Sequence, residues 1–207
     1  HDLRTPLTAI RGHAAALADG VVPEADVPRS LAAIEGEAAR LETLVADLLD
    51  LARLDAHRFK LDLAPADPAD VLDRAFDAME AQAAVRGIAY EREIDEMETV
   101  VTDEVRVRQI VCNLLDNAIH WTPRGGAVRL EGRPRPDGGF TAAVSDTGPG
   151  VPPGARDAIF EPFSSNETPE GRRGSGLGLA ISRQLARALG GDVRLEPCDG
   201  AGSRFVL

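Results

Sequence analysis

Asn113-Leu114-Leu115-Asp116-Asn117-Ala118 lies on an apolar predicted helix that runs from Glu104 to Trp121. Asn113 and Asn117 are four residues apart, so their side-chain amides point the same way from one helix face. Amide oxygens grouped in this way suit a hard Mg²⁺ ion that bridges phosphate groups. Two asparagines on a helix are also common surface residues, so the pair predicts a site only together with the motifs that follow it.

A second motif, Ser145-Asp146-Thr147-Gly148-Pro149-Gly150, comes directly after a predicted strand. A buried Asp146 can accept a hydrogen bond from an exocyclic amine, and Gly148 and Gly150 let the backbone approach a ring. By itself, this pattern of aspartate and glycines indicates only a turn.

Two further motifs lie near the carboxyl end of the chain. Ile159-Phe160-Glu161-Pro162-Phe163 precedes a polar stretch, Ser164 to Arg173, which has no apolar residue to anchor it. We interpret this stretch as a mobile lid, with a plain surface loop as the alternative. Gly174-Ser175-Gly176-Leu177-Gly178-Leu179 then opens a helix, and a glycine-rich helix N-terminus is a site for anions. It is not the dinucleotide fingerprint, because the glycine spacing differs and no strand leads directly into it.

The first 57 residues predict a hairpin of two helices. Apolar residues recur at spacings of three and four on both sides of a turn at Asp19 to Pro23, which indicates coiled-coil-like packing. The seam of the second helix includes Leu31, Val45 and Leu48. Four leucines beside that seam need another surface, so we expect a homodimer that forms a four-helix bundle. These leucines are Leu44, Leu49, Leu51 and Leu54. The second helix extends about ten residues beyond the first, so we expect the natural protein to continue upstream, with a frayed end of the second helix as the alternative.

His1-Asp2-Leu3-Arg4-Thr5-Pro6-Leu7 opens the chain, with a proline that bends a helix and a carboxylate beside an imidazole. A histidine with a pKa of about 6.5 is mostly neutral at pH 7, so one ring nitrogen of His1 is already a nucleophile. Asp2 can select the tautomer and stabilise the imidazolium that forms during attack. A lone His-Asp pair is also common on a solvated helix face.

Charge and lysine content exclude several classes of protein. The net charge of -11 disfavours nucleic acid and anionic lipid as partners. Lys60 is the only lysine and has no glycine near it, which excludes a Walker-type phosphate loop and a eukaryotic-type protein kinase. If the protein handles ATP, then metal, arginine and backbone amides must hold the phosphates. No apolar run approaches the roughly 18 residues of a membrane span.

In this order, the motifs resemble the H, N, first-glycine, F and second-glycine boxes of the sensor histidine kinases of two-component systems. The H-box pattern, His-Glu/Asp-x-x-Thr/Asn-Pro, is matched at every position. The resemblance covers essentially the whole chain and implies an α+β protein. Residues 1–57 would form the dimerisation and phosphotransfer hairpin. Residues 58–207 would form a GHKL-type ATP-binding α/β sandwich, with a mixed sheet covered by helices on one face. In this part of the chain, the residue pattern itself predicts a first strand at Phe59 to Leu63, helices at Pro68 to Arg86 and Glu104 to Trp121, and strands at Ala127 to Gly132 and Phe140 to Ser145.

The resemblance also implies the reaction and its partners. His1 would be the phosphoacceptor, Asp2 would assist removal of its proton, and Thr5 would serve a phosphatase activity. The phosphoryl group would pass to an aspartate on the receiver domain of a response regulator. The intact protein would be a bacterial protein anchored in the membrane through a segment absent from this chain, which would form its cytoplasmic portion.

Roles in nucleotide binding are implied in the same way. Asn117 would coordinate Mg²⁺ with Asn113 near the phosphates, and Asp146 would recognise adenine. A lid arginine, Arg172 or Arg173, would stabilise the transferring phosphoryl group. The other implied nucleotide-binding residues are His120, Trp121, Gly148, Gly150, Phe160, Phe163, Gly174, Gly176, Leu177, Gly178 and Leu179.

One departure from the family pattern concerns His120-Trp121, where the N box often continues with Lys or Arg and then Tyr. A neutral His120 gives a weaker, pH-sensitive contact with phosphate. Trp121 either lines the nucleotide pocket or fills the core.

Two other functions compete with the kinase. One is a dimerising module that binds nucleotide without catalysis and mainly dephosphorylates or sequesters a regulator, and the intact Asn, Asp and Gly positions argue against it. The other is an ATPase of the same fold with water as the nucleophile. That class carries a catalytic acid at the start of the N box, where Cys112-Asn113 offers none, and it has no use for an H-box.

Overall fold

A computed structural model describes residues 4–55, 60–164, 176–197 and 201–207 of the chain. Two units result from the contacts between residues, His1–His57 and Arg58–Leu207. Within the first unit, helix α1 (Arg4–Ala18) packs against helix α2 (Val27–Asp55) to form the expected hairpin. The turn between the helices needs a left-handed residue, which Gly20 supplies with a φ of 66°.

The buried and exposed apolar residues of the hairpin differ from those predicted from the sequence. Leu44 and Leu51, which we expected to need another surface, are buried within the single hairpin. The seam residues Leu31, Val45 and Leu48 are instead exposed. A heptad pattern does not specify which of two adjacent apolar stripes packs inside the hairpin. The buried and exposed stripes are therefore the reverse of those predicted. Among the side chains that the structure describes, the exposed large apolar ones of the hairpin are Leu7, Val21, Leu31, Val45, Leu48 and Leu49, and that of Leu54 lies outside the described part.

The second unit combines a sheet with three long helices. Its strands are β1 (Ala64–Ala66), β2 (Ala89–Ile94), β3 (Val100–Thr102), β4 (Ala127–Pro134), β5 (Phe140–Asp146), β6 (Arg194–Glu196) and β7 (Arg204–Val206). Its α-helices are α3 (Pro68–Arg86), α4 (Glu104–Trp121) and α5 (Gly178–Ala188). Two short 3-10 turns, Pro153–Ala155 and Ala158–Phe160, lie between β5 and α5.

Five strands form a mixed sheet in the order β2-β4-β5-β7-β6, in which β2 and β4 are parallel and the other pairs antiparallel. One face packs under the helices, where Leu130, Val144 and Phe205 are buried. The other face carries ion pairs across the sheet: Arg133 of β4 binds Asp95, just past the end of β2, at 2.7 Å, and Arg204 of β7 reaches across β5 to Glu131 of β4. The predicted α+β class, with helices on one face of a mixed sheet, is confirmed.

The boundaries of α3 and α4 follow from local capping. Asp67 accepts a hydrogen bond from the Ala69 amide at 2.9 Å, and Asp103 accepts one from the Arg106 amide at 3.1 Å. Gly87 ends α3 in a left-handed conformation, with a φ of 66°. Both helices therefore begin and end at the residues predicted from the sequence.

The predicted strand at Phe59 to Leu63 is wrong. The first strand is Ala64–Ala66, which pairs with β3 in a separate two-stranded sheet, and Phe59 lies outside the described residues. The alternation that suggested a strand is real, but the Asp62 amide donates to the Asp103 carboxylate at 3.0 Å instead of to a neighbouring strand. Across the described ranges, no helix has both the length and the apolar composition needed to cross a lipid bilayer.

Candidate functional site

Helix α4 presents the two asparagines beside α5. Its apolar face is buried in the core, and Asn113 and Asn117 are half-buried next to that face. The Asn113 amide nitrogen donates to the Ser182 hydroxyl at 3.3 Å and lies 3.5 Å from the Gly178 carbonyl oxygen. Within the described part of the chain, the Asn117 side chain makes no hydrogen bond. Its amide oxygen is therefore available to a ligand.

Asp146 ends β5 as a buried carboxylate, with 8% of its surface exposed. Its Oδ1 accepts a hydrogen bond from the Gly148 amide at 2.8 Å, and Ser203 donates to it as well. Burial raises the pKa of Asp146, while these hydrogen bonds act in the opposite direction. The site therefore offers a fixed, poorly hydrated acceptor of the kind that recognises an amine.

Close backbone packing around Asp146 depends on three glycines. A Cβ on Gly148 would lie 2.9 Å from the Trp121 carbonyl oxygen, so this residue brings the loop after β5 against the end of α4. A Cβ on Gly202 would lie 1.9 Å from the Asp146 carbonyl oxygen, and its φ is 123°. Gly150, with a φ of 74°, lies against Gly202 in the same way.

A residue of α3, Arg86, holds the C-terminal end of α4 in place. The Arg86 guanidinium donates to the His120 carbonyl oxygen at 3.0 Å, which places a positive charge at the negative end of the helix. The His120 and Trp121 rings meet edge to face at 5.7 Å. Trp121 is half-buried, so it contributes to packing and still presents part of its ring to solvent.

Helix α5 begins at Gly178 without a side-chain cap. Leu177 is buried in the core, while Gly178 and Leu179 remain half-buried. Gly176, with a φ of 66°, accepts a hydrogen bond from the Phe163 amide at 2.9 Å. The two ends of the polar stretch between Phe163 and Gly176 are thus held together.

Phe160 lies in a packing cluster. Its ring meets Phe205 edge to face at 6.3 Å, and the Arg183 guanidinium lies 4.5 Å from the ring centroid. Arg183 also binds the Asp192 carboxylate at 3.0 Å. Phe163, in contrast, is 56% exposed and has a φ of 64°. Phe160 therefore supports the position of the site, whereas Phe163 lies at its surface.

Two protein families match the chain, one in each unit. Residues 1–57 match the His Kinase A (phospho-acceptor) domain, and residues 102–207 match the histidine kinase-, DNA gyrase B-, and HSP90-like ATPase family. The chain belongs to the histidine kinase family.

Individual histidine kinases resemble this one along its whole length. The signal transduction histidine-protein kinase/phosphatase MprB of Mycobacterium tuberculosis is 34% identical over 208 residues, which cover 98% of this chain and 40% of that protein. The chain thus spans about two fifths of the length of the curated relatives it matches.

Two solved structures also match over 100% of this chain. The histidine kinase AdeS of Acinetobacter baumannii has a TM-score of 0.80 at 25% identity, with 95% of that chain covered. Full-length ShkA, in complex with AMPPNP, has a TM-score of 0.76 at 35% identity, with 43% of that chain covered.

The structure of this histidine kinase brings several predicted residues together. Asn113 lies next to Gly178, and Gly148 lies next to the Trp121 backbone and Asp146. Thr5 is exposed on α1 beside a shallow groove formed with Arg4, Thr8 and Ala9. Five predicted residues lie outside the described part of the chain: His1, Asp2, Arg172, Arg173 and Gly174. The predicted lid also lies there, except for Ser164.

Sequence reasoning missed four residues that build the site: Arg86, Ser182, Gly202 and Ser203. Only Ser182 carries a local signal, because it follows Gly178 by four residues and so lies on the same face of α5. Ser203 and Gly202 reach Asp146 only because β7 pairs with β5 in the sheet.

Proposed function

We propose that this chain is the catalytic core of a sensor histidine kinase, in which ATP held by residues 58–207 phosphorylates His1 of the hairpin 1–57. One observation carries the proposal: a buried carboxylate, Asp146, is held at the end of β5 by donors from Gly148 and Ser203. Such an acceptor suits the exocyclic amine of adenine. The membership in an ATPase family and the likeness to a kinase crystallised with AMPPNP support ATP as the ligand.

Magnesium would arrive with the nucleotide. Among the described residues, no group of three or more His, Cys, Asp or Glu side chains could hold a metal ion. Mg²⁺ commonly keeps several waters and binds through substrate phosphates with few protein ligands, so the available amide oxygen of Asn117 fits that role. When bound, the ion would neutralise charge on the phosphates.

Phosphate binding in this chain would rely on backbone and arginine. The first turn of α5, from Gly178, offers amides and the positive end of a helix dipole. The proposed lid arginines, Arg172 and Arg173, would add charge next to the transferred group. Lys60, the only lysine, lies before β1 and outside every predicted nucleotide motif.

In the reaction, a ring nitrogen of neutral His1 attacks the γ-phosphorus, a phosphorus–nitrogen bond forms, and the bond to the ADP oxygen breaks. Asp2 would stabilise the imidazolium and help remove its proton. The phosphohistidine would then transfer its phosphoryl group to an aspartate carboxylate on the receiver domain of a response regulator, which regenerates neutral His1.

Dimerisation through the hairpin is supported by its exposed apolar side chains, of which Val45, Leu48 and Leu49 lie within one turn and a half of α2. A phosphatase role for Thr5 is supported by its exposure on α1 and by the kinase/phosphatase name of the relative MprB. Membrane attachment would come from a segment outside this chain, and the net charge of -11 disfavours nucleic acid.

Incubating the intact protein with γ-labelled ATP tests the proposal. We expect acid-labile, alkali-stable label on the protein, and no label in the His1→Gln variant. Label that persists in His1→Gln contradicts the proposal. Free phosphate without labelled protein indicates an ATPase, and nucleotide binding without either product indicates a non-catalytic module.

A further inference from the structure

The Asp103 carboxylate binds two different parts of the chain. Its Oδ1 accepts the hydrogen bond from the Arg106 amide at 3.1 Å that caps α4. Its Oδ2 accepts a hydrogen bond from the Asp62 amide at 3.0 Å. Only 5% of the Asp103 surface is exposed, so water competes little for either bond.

Strand pairing brings the two residues together. In the β1–β3 sheet, Ala64 lies opposite Thr102, so Asp62 and Asp103 lie just beyond the end of the paired segment. The Asp103 side chain thereby extends the pairing to the residues through which the chain enters the ATP-binding unit.

Helix α4 connects this junction to the candidate site. It has 18 residues and so a length of about 27 Å at 1.5 Å per residue. Its N-terminus is capped by Asp103, its middle carries Asn113 and Asn117, and its last turn is held by Arg86. A helix packed along one face moves as a unit, because core packing resists local deformation. We therefore expect a displacement at Asp62 to reach the asparagines.

We propose that Asp103 is a positioning residue that couples the entry of the chain at Asp62 to helix α4. The entry segment is the covalent connection to the hairpin. The hydrogen bond between Asp62 and Asp103 would therefore fix the position of α4 relative to the end of this connection. The functional role of this coupling rests on the proposed kinase function. The coupling itself can be measured without any activity.

Four variants separate the cap from the coupling. Asp103→Ser and Asp103→Asn keep a good N-cap and lose one of the two acceptors. Asp62→Pro removes the donor and leaves Asp103 intact. Asp103→Ala removes both bonds. Asp67→Ser is the matched control, because Asp67 caps α3 and its side chain bonds only within that helix.

Hydrogen exchange tests the coupling directly. In Asp103→Ser, we expect the Asp62 amide to exchange about tenfold faster or more than in the wild type, because its acceptor is lost. The Arg106 amide should change by less than about threefold, since serine still caps the helix. Equal exchange of the Asp62 amide in both proteins would contradict the coupling.

The rate of autophosphorylation then tests whether the coupling between Asp62 and Asp103 affects the reaction. In the intact protein, we expect Asp103→Ser and Asp62→Pro to lower the autophosphorylation rate by about three- to tenfold, with the KM for ATP within about twofold, because reaction geometry is more sensitive than binding. The double variant should be no slower than either single variant, because both remove one bond. Asp67→Ser should match the wild type.

A defect confined to Asp103→Ala would show that Asp103 is only a helix cap and would overturn the proposal. If the wild type itself is not labelled, the proposed kinase function fails, and the exchange of the Asp62 amide still decides whether the coupling exists.

Discussion

The Asn113 amide nitrogen lies 3.3 Å from the hydroxyl oxygen of Ser182, which fastens α4 to α5 across 69 residues of sequence. Ser182 has no exposed surface, so the bond is shielded from water. Asn117, one turn later on α4, has no such bond in the described part of the chain. The two asparagines of the N box therefore differ in role: Asn113 joins two helices, and Asn117 is left for a ligand.

Replacing each asparagine by alanine should separate these roles. Asn113→Ala should lower the free energy of unfolding by about 1–2 kcal/mol, because the buried Ser182 hydroxyl loses its partner. Asn117→Ala should change it by less than about 0.5 kcal/mol. Urea denaturation measures both values.

Asn117→Ala should weaken ATP binding in Mg²⁺ and have little effect in EDTA, as measured by calorimetry. Ser182→Ala serves as the control for the α4–α5 bond and should lower stability without altering the Mg²⁺ dependence of binding. A loss of stability in Asn117→Ala as large as that in Asn113→Ala would contradict the division of roles.

The carboxylate of Asp146 predicts a pH dependence. Burial raises its folded pKa above the ordinary aspartate value of 3.8. The folded protein therefore retains this proton at a pH where the unfolded chain has released it. The stability contributed by this group is fully present below pH 3.8 and is lost as the pH rises through the raised pKa.

Asp146→Asn removes the buried charge, so it should be at least as stable as the wild type at pH 7, with an advantage that shrinks toward pH 4. The variant should lose most ATP affinity, because an amide donor then faces the adenine amine. In the wild type, ATP affinity should fall as the pH drops through the raised pKa. Denaturation and ATP titration at several pH values check these outcomes, and ATP binding by Asp146→Asn at the wild-type level would exclude adenine recognition by this residue.

Gly202 should tolerate no side chain. Alanine there would place Cβ 1.9 Å from the Asp146 carbonyl oxygen and force a φ of 123° on a non-glycine residue. We expect Gly202→Ala to lower the free energy of unfolding by more than about 3 kcal/mol and to abolish nucleotide binding. Gly138 is the matched control: it also has a positive φ, 85°, but open space around it. Gly138→Ala should lose only about 1 kcal/mol and keep nucleotide binding. Similar losses in the two variants would show that backbone conformation, and not the contact with Asp146, decides the effect.

Arg183 and Arg187 offer another matched pair, because both bind Asp192 but only Arg183 lies over the Phe160 ring. The Arg183 side chain is 29% exposed and that of Arg187 is 59% exposed. Arg183→Met should lower the free energy of unfolding by about 1–2 kcal/mol, and Arg187→Met by less than about 0.5 kcal/mol. The amides of residues 158–163 should exchange faster only in Arg183→Met, and an equal effect of both variants would assign the stabilisation to the ion pairs alone.

Local chemistry made much of the fold predictable. The predicted bounds of α3 and α4 match the structure, in which Asp67 and Asp103 cap the two helices and Gly87 ends the first. The alternating apolar residues of β4 and β5 likewise indicated strands with one buried face. Each of these signals acts within a few residues of the element that it sets.

Features that depend on distant partners were not predictable. Residues 60–63 alternate like a strand, but the partner of the Asp62 amide is a side chain 41 residues away. Leu44 and Leu51 are buried because of where α1 packs, which the heptad pattern alone does not specify. In the candidate site, Ser203 and Gly202 reach Asp146 through the order of strands in the sheet, which no motif records.

The backbone hydrogen bond from the Phe163 amide to the Gly176 carbonyl oxygen joins the two ends of the segment between these residues. A Cβ on Gly176 would meet the Phe163 backbone at 2.8 Å, so the backbone at the two ends of this segment is already in contact. Doubling the length of a loop closed in this way changes its closure free energy by only about 0.6 kcal/mol. We therefore expect that the number of residues between Phe163 and Gly176 can change with little effect on the stability of the sheet and helices, because the two ends are already joined.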